Sequence, residues 1–179
     1  TSAGTERIAG SRDYVLHFRE PVAGRIAAGN MLENATLCPR LTVRNCRMLK
    51  QNRGRSILVT TPAKVLIENN YFRSAGAAVL IEGDTELWFE SGAVCDITIR
   101  NNLFEDCYTS GNNIIDGPWG WGEGVISISP SFRPQDADAK AYHRNIRIVG
   151  NTFRHFDCAV LFARSAEGLE FSRNRLERT

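Results

Sequence analysis

The sequence predicts an all-β fold, a right-handed parallel β-helix (solenoid) of about five coils with two long loop insertions. The main observation is a repeat that aligns without gaps five times, which is the sequence signature of stacked structural units. The repeats are RLTVRNCRM (40–48), VLIENNYF (65–72), DITIRNNLF (96–104), NIRIVGNTF (145–153) and GLEFSRNRL (168–176).

Each repeat predicts one strand followed by a turn. Apolar residues alternate at two-residue spacing, as Val65 and Ile67 do, which is typical of a strand with one buried face. A second strand-like run follows each of the first four repeats, at 55–61, 77–83, 124–130 and 158–164. Each coil therefore has at least two strands, and the long segments between the runs are insertions, which a solenoid tolerates as loops.

Two columns of side chains are expected from this alignment. Four repeats place an asparagine at the turn, Asn70, Asn102, Asn151 and Asn174, where the first repeat has Cys46. Parallel stacking in register would let each amide bond the backbone or the amide of the next coil. Two residues later come Met48, Phe72, Phe104, Phe153 and Leu176, which would fill the core. The alternative, a sandwich of hairpins, does not require the same turn residue in successive strands.

Length and composition predict a single domain, residues 1–179. The sequence opens without an initiator Met, so we expect it to be part of a longer chain. No apolar run approaches the roughly 18 residues of a membrane span, so no membrane partner is expected. The net charge of +2 with scattered Lys and Arg predicts no nucleic-acid partner and favours a neutral substrate. Uncapped end coils favour self-association, because an open parallel edge is a template for pairing.

Function is expected where the repeat is interrupted. The first insertion, EGDTELWFESG (82–92), carries Glu82, Asp84, Trp88 and Glu90 among its acids and aromatics. The second, EDCYTSGNNIIDGPWGWGEG (105–124), carries Asp106, Trp119 and Trp121. Carboxylates beside exposed rings suit carbohydrate chemistry, because rings stack on sugars while one carboxyl donates a proton and another activates water or attacks.

Asp84 and Asp106 are the leading candidates for a catalytic pair. They are separated by nearly one coil period, and neighbouring coils lie about 4.8 Å apart, so the two carboxylates could converge on one cleft. Arg55, in the basic spot RNRGR, is a candidate for binding sugar hydroxyls. The three histidines lack metal-ligand spacing, so no metal site is predicted.

Several segments also resemble family 110 of the glycoside hydrolases, the α-1,3-galactosidases that include blood-group-B-cleaving enzymes. They are LENATLCPRLTVRNCRM, RGRSILVTTPAKVLIENNYFRSAG, LIEGDTELWFESGAVCDITIRNNLFEDC and AVLFARSAEGLEF. The resemblance covers most of the chain from about residue 13 onward, and EGDTELWFESG with its flanking strands is its most specific part.

The resemblance implies an inverting exo-hydrolase that removes terminal α-1,3-linked galactose from an oligosaccharide or glycan, uses two acidic residues and needs no cofactor. It implies that Asp84 and Asp106 are the catalytic acids, with Glu90 the next candidate, and that the protein is secreted or periplasmic. Glu82, Trp88, Trp119, Trp121 and Arg55 would then contact the substrate. Family members are much longer chains, so the cleft in this chain is expected to be incomplete.

Two other functions remain open at this stage. One is a carbohydrate-binding β-helix without catalysis, which predicts an aromatic cleft with only one usable carboxylate. The other is a structural solenoid whose loops bind another protein, which predicts that the acids point apart and that the loops form a flat apolar patch.

Overall fold

The computed structural model describes residues 2–22, 24–49, 54–84, 92–110, 122–130 and 140–179. It has two compact units, Thr1–Leu32 and Glu33–Thr179. The described part of the chain contains no helix that is long and apolar enough to cross a membrane. The prediction of one domain for residues 1–179 stays a prediction.

The N-terminal unit contains an antiparallel pair of strands, β1 (Ser2–Arg7) and β2 (Tyr14–Phe18). The turn between them is closed by a bond from the Ile8 amide to the Asp13 carbonyl (3.0 Å), and Gly10 supplies a positive φ of 77°. A left-handed conformation at this position suits glycine, which has no Cβ to clash. This hairpin lies outside the five repeats.

The second unit contains three parallel sheets. The first sheet has β3 (Leu41–Arg44), β6 (Val65–Glu68), β9 (Ile97–Arg100), β12 (His143–Val149) and β15 (Ala166–Ser172). The second sheet has β4 (Arg47–Met48), β7 (Tyr71–Phe72), β10 (Leu103–Glu105), β13 (Thr152–His155) and β16 (Arg175–Arg178). The third sheet has β5 (Ile57–Val59), β8 (Val79–Ile81), β11 (Ile126–Ile128) and β14 (Leu161–Ala163).

These sheets form a stack of layers, where a layer is the set of consecutive strands that contributes one strand to each sheet. Every predicted repeat and every second run contains strands, and all pairs between layers are parallel and in register, as Val65 with Ile97 and Phe72 with Phe104. The hairpin sandwich is excluded for this unit, because its strands would pair antiparallel.

The predicted fold class, one right-handed parallel β-helix, is nevertheless wrong. The finding that overturns it is an all-strand chain with several separate sheets: three that fit a parallel stack and one antiparallel pair at residues 2–18. The repeat could predict parallel stacking only for the residues it covers, and β1 and β2 lack the alternation and turn asparagine on which the prediction depended.

The asparagine column is confirmed and explains the register. Asn102 Nδ2 donates to the Ile67 carbonyl (3.0 Å) and to Asn151 Oδ1 (2.9 Å), while Asn102 Oδ1 accepts from the Asn70 amide (2.9 Å). Asn151 bonds Ile99 and Asn174 in the same way. Because every amide is satisfied by the neighbouring layers, these buried polar side chains fix the register without unpaired groups.

The turn of each repeat has two residues, and the first of them has a positive φ. These residues are Asn45, Asn69, Asn101, Gly150 and Arg173. Directly after the turn, the aromatic column begins: Phe72, Phe104 and Phe153 stack with ring centroids 4.9 Å apart and are buried. Together with the alternating Ile and Val residues they form the core. Of the other two residues predicted to fill it, Met48 packs against the core, but Leu176 is 62% exposed.

In the third sheet, the two middle strands, β8 and β11, have both faces covered. Leu80 and Ser127 point away from the core residues next to them, yet they are only 4% and 1% exposed. At Gly122, where φ is +100°, a Cβ would lie 2.7 Å from the Ala77 Cβ, so this segment lies directly on the outer face. The insertions enter and leave at the two ends of this sheet.

Candidate active site

Three segments meet at the C-terminal ends of the strands of the third sheet, where the chain leaves β8 for the first insertion. They are the residues around Glu33, the two ends of the 82–92 insertion, and Tyr142, which ends the segment leading into β12. Asp84 lies at this corner and is 3% exposed. A buried carboxylate where loops converge is the arrangement expected of a site on a rigid scaffold.

Glu33 and Tyr142 contact the two glycines that flank the insertion. A Cβ at Gly83 would lie 2.6 Å from the Tyr142 hydroxyl oxygen, and one at Gly92 would lie 3.1 Å from Glu33 Oε2 and 3.5 Å from the same hydroxyl. The Gly92 amide donates to Glu33 Oε2 (3.3 Å). We call these four residues, Glu33, Gly83, Gly92 and Tyr142, the loop neck, because they hold the two ends of the insertion close together.

The electrostatics of the loop neck follow from burial and negative charge. Desolvation raises the pKa of Tyr142, and the Glu33 carboxylate raises it further. The Cys38 thiol donates to Glu33 Oε1 (3.7 Å), and its pKa is raised by burial and then by the same carboxylate. The tyrosine is therefore a neutral hydroxyl at neutral pH, able to donate a hydrogen bond.

His143 supports the loop neck from the core side. Its ring is fully buried, lies edge-on to Tyr142 with centroids 4.9 Å apart, and accepts a bond from the Val94 amide at Nδ1 (3.3 Å). Burial lowers the pKa of His143 to about 4. At neutral pH the imidazole is uncharged, and its proton is on Nε2, since Nδ1 is an acceptor.

Asp106 lies at the opposite end of the third sheet, where the chain leaves β10. It has a positive φ of 43°, its amide donates to the Arg154 carbonyl (3.1 Å), and its Oδ2 accepts from Arg73 Nη2 (3.3 Å). Asp106 bonds Arg73, which precedes β8, whereas Asp84 follows β8, so the length of this strand, about 10 Å at 3.3 Å per residue, lies between the two corners along the chain. A catalytic pair of Asp84 and Asp106 would have to span that distance, and it stays a prediction.

Curated proteins provide the comparison that bears on the chemistry of this site. The chain is 45% identical to alpha-1,3-galactosidase B of Bacteroides thetaiotaomicron over 93% of its length, and 46% identical to alpha-1,3-galactosidase A of Bacteroides fragilis over 83%. It is 37% identical to alpha-1,3-galactosidase B of Akkermansia muciniphila over 93%. The resemblance to α-1,3-galactosidases is confirmed. No family model matches the chain.

The chain spans about a quarter of the length of these α-1,3-galactosidases: 26%, 23% and 20% of the three respectively. The similarity therefore covers one part of each relative.

The structure describes four of the eight predicted site residues. Glu82 and Asp84 lie at the loop-neck end of the third sheet, whereas Arg55 and Asp106 lie at the end where its strands begin. The other four, Glu90, Trp88, Trp119 and Trp121, lie outside the described residues. Among the described residues, no group of three or more His, Cys, Asp or Glu side chains is placed to hold a metal ion.

Glu105, which begins the second insertion, has a structural role. Its Oε2 accepts from the Tyr71 hydroxyl (2.6 Å) and its Oε1 accepts from Arg154 Nη1 (2.8 Å). These two bonds lower the pKa of Glu105, chiefly through Tyr71. An open depression nearby, lined by Asn102, Arg154 and Glu177, lies at the asparagine turn.

Sequence reasoning missed Glu33, Tyr142 and His143. Glu33 stands in LENATLC, before the first repeat, and therefore outside the two insertions in which function was expected. Tyr142 and His143 follow the long gap before the fourth repeat, whose exceptional length was a usable signal. The gap before the fourth repeat indicates an insertion. Only the three-dimensional structure shows that the C-terminal end of this insertion, at Tyr142, lies next to the first insertion.

Proposed function

We propose that this chain is the part of a glycoside hydrolase that holds Asp84 in the active site, and that the whole protein removes terminal α-1,3-linked galactose from oligosaccharides or glycans. The observation that carries the proposal is the convergence of the loop neck on a buried carboxylate, in a chain similar to α-1,3-galactosidases over most of its length. The names of these relatives support an enzyme.

An inverting mechanism accounts for the acidic residues near the insertions. One carboxyl would protonate the leaving oxygen, while a second carboxylate activates water on the opposite face of the sugar, with about 6.5–9.5 Å between the two groups. Asp84 is our candidate for one of them. Asp106 and Glu90 remain the predicted candidates for the other, and Glu33 joins them because it lies at the same corner as Asp84.

The test compares four variants with the parent protein in the hydrolysis of p-nitrophenyl α-galactoside and of an α-1,3-linked galactobiose. The variants are Asp84→Asn, Asp106→Asn, Glu90→Gln and Glu33→Gln. Loss of the general acid or base should reduce kcat by at least about 100-fold. Asp157→Asn is the matched control, since Asp157 is an exposed carboxylate that pairs with Arg178 (2.9 Å). Full activity in Asp84→Asn would contradict the proposal.

The stereochemical course is a separate measurement. An inverting enzyme releases β-galactose first from an α-galactoside, so the anomeric proton signals early in the reaction distinguish inversion from retention. Galactose binding without hydrolysis by the parent chain would instead favour the alternative, a carbohydrate-binding module. A secreted or periplasmic location and a glycan as partner belong to the same proposal.

A further inference from the structure

Positive charge is unevenly distributed along this chain, although the net charge is only +2. Residues 38–67 contain no Asp or Glu and seven of the 22 Lys and Arg residues: Arg40, Arg44, Arg47, Lys50, Arg53, Arg55 and Lys64. This segment forms the first layer of the stack and begins the second. The expectation of a neutral substrate came from the net charge, which hides this local excess.

Four of these residues lie at the start of the stack, and we call them the basic strip: Arg40, Arg44 and Arg47 in the first layer and Lys64 in the second. Arg40 immediately precedes β3, Arg44 ends it and Arg47 begins β4. The Leu41 amide donates to the Lys64 carbonyl (3.1 Å), so Lys64 lies beside Arg40 in the next layer. All four side chains are exposed.

The basic strip differs from three arginines of the later layers, which are neutralised by ion pairs. Arg100 pairs with Glu68 (2.7 Å), Arg147 with Glu170 (2.9 Å) and Arg154 with Glu105 (2.8 Å). Within the described parts of the chain, no ion pair involves a member of the basic strip. Arg47 instead lies over the Tyr71 ring, 4.6 Å from its centroid.

Unneutralised like charges at this spacing favour an anionic partner. Layers are about 4.8 Å apart, so Arg40 and Lys64 repel one another, and an anion between them would remove that cost. Arg40 and Arg44 are four residues apart along an extended strand, about 13 Å. This length fits a chain that carries several anionic groups better than it fits a single small anion.

The basic strip also begins beside the candidate active site. Arg40 is two residues from Cys38, whose thiol donates to Glu33 of the loop neck. We propose that the basic strip binds sulfate or carboxylate groups on the part of a glycan that extends away from the sugar held near Asp84. The choice of a glycan, rather than another polyanion, rests on the proposed function.

Binding of the chain to heparin, a sulfated and carboxylated glycan, tests this proposal without requiring hydrolysis. The variant Arg40→Gln/Arg44→Gln/Arg47→Gln should bind at least 10-fold more weakly at low salt, and its affinity should depend less steeply on salt. The matched control, Arg173→Gln/Arg175→Gln/Arg178→Gln, removes the same charge from the last layer and should change affinity less than 3-fold. If the strip variant unfolds, Arg44→Gln alone should give about a 3-fold loss.

Further ligands distinguish sulfate groups from carboxylate groups as the anions that the basic strip binds. Desulfated heparin keeps its carboxylates, so retained binding identifies carboxylate groups and lost binding identifies sulfate. Equal binding to neutral dextran, or equal losses in the strip and control variants, would overturn the proposal. Tighter binding to single-stranded DNA or to phosphatidylserine vesicles would overturn the choice of a glycan. Because no arm measures hydrolysis, the result of the activity assay does not affect this test.

Discussion

At the scale of single residues, the asparagine column gives the sharpest prediction about stability. Asn102→Ala removes two bonds donated by the amide and leaves the Asn70 amide without its acceptor in a buried site. Unsatisfied buried groups cost roughly 1–3 kcal/mol each, so the free energy of unfolding should fall by about 2–4 kcal/mol in urea titrations.

The matched control is Asn45→Gly. Asn45 is exposed and has a φ of 55°, a conformation that glycine adopts freely, so stability should change by less than about 1 kcal/mol. Equal losses in the two variants would mean that the turn conformation, and not the amide column, stabilises the stack.

The loop neck predicts an effect on activity from a single methyl group. In Gly83→Ala the new Cβ would meet the Tyr142 hydroxyl at 2.6 Å, so the tyrosine or the backbone beside Asp84 must move. We expect kcat for galactoside hydrolysis to fall at least about 10-fold, because displacements of about 1 Å at a catalytic group are costly. The double variant Gly83→Ala/Tyr142→Ala should recover part of that loss, since it removes both the hydroxyl and the ring carbon Cε1, which would lie 2.7 Å from the new Cβ.

A variant at another tyrosine that bonds a glutamate provides the control for this prediction. Tyr71→Phe removes a tyrosine–glutamate hydrogen bond of the second sheet, between residues that are not part of the loop neck. Its kcat should stay within a factor of two of the parent value. A comparable loss in Tyr71→Phe would show that the assay reports general stability.

At the scale of strands and sheets, the aromatic column is the main source of packing between layers. Phe104 lies between Phe72 and Phe153 and is fully buried, so Phe104→Ala leaves a cavity on both sides. Such truncations cost about 3–5 kcal/mol. Chemical denaturation should show that loss, whereas Phe156→Ala, at a ring that is 42% exposed, should stay within about 0.5 kcal/mol.

Much of this element-level structure was predictable from the sequence. Each layer makes the same contacts with its neighbours as the layer before it. The residues that make these contacts, alternating apolar residues and a turn asparagine at a fixed offset, therefore recur in each repeat of the sequence. The hairpin β1–β2 and the loop neck have no such periodicity. Glu33 meets Gly92 across 59 residues of chain, and no local pattern encodes a contact of that kind.

At the scale of the whole molecule, His143 should make stability depend on pH. Its pKa is lowered to about 4 by burial, from 6.5, so the unfolded chain binds more protons between these values and stability falls as pH falls. The loss between pH 6.5 and 4.5 should reach about 2–3 kcal/mol. Because burial lowers the pKa of His155 too, that residue contributes in the same direction.

Unfolding measured at several pH values checks this prediction. His143→Gln keeps an acceptor for the Val94 amide but cannot be protonated, so its stability should vary less between pH 6.5 and 4.5. A parent chain whose stability is constant over this range would contradict the prediction.

Self-association through the end layers stays a prediction. Leu169, Phe171 and Leu176 are 37%, 38% and 62% exposed, although their partners in the preceding layer, Ile146, Ile148 and Phe153, are buried. Sedimentation at increasing protein concentration should show a rising mass. A constant monomer mass at high concentration would count against it.

The connections between the sheets differ in length from corner to corner. This difference shows where the protein can accept insertions during evolution. The turn between the first and second sheets has two residues in all five layers, because the asparagine bonds require it. The connections at the ends of the third sheet range from residues 164–165 to residues 106–125. Doubling a loop costs only about 0.6 kcal/mol in closure entropy. New specificities can therefore be acquired, or grafted in the laboratory, at these ends without altering the scaffold.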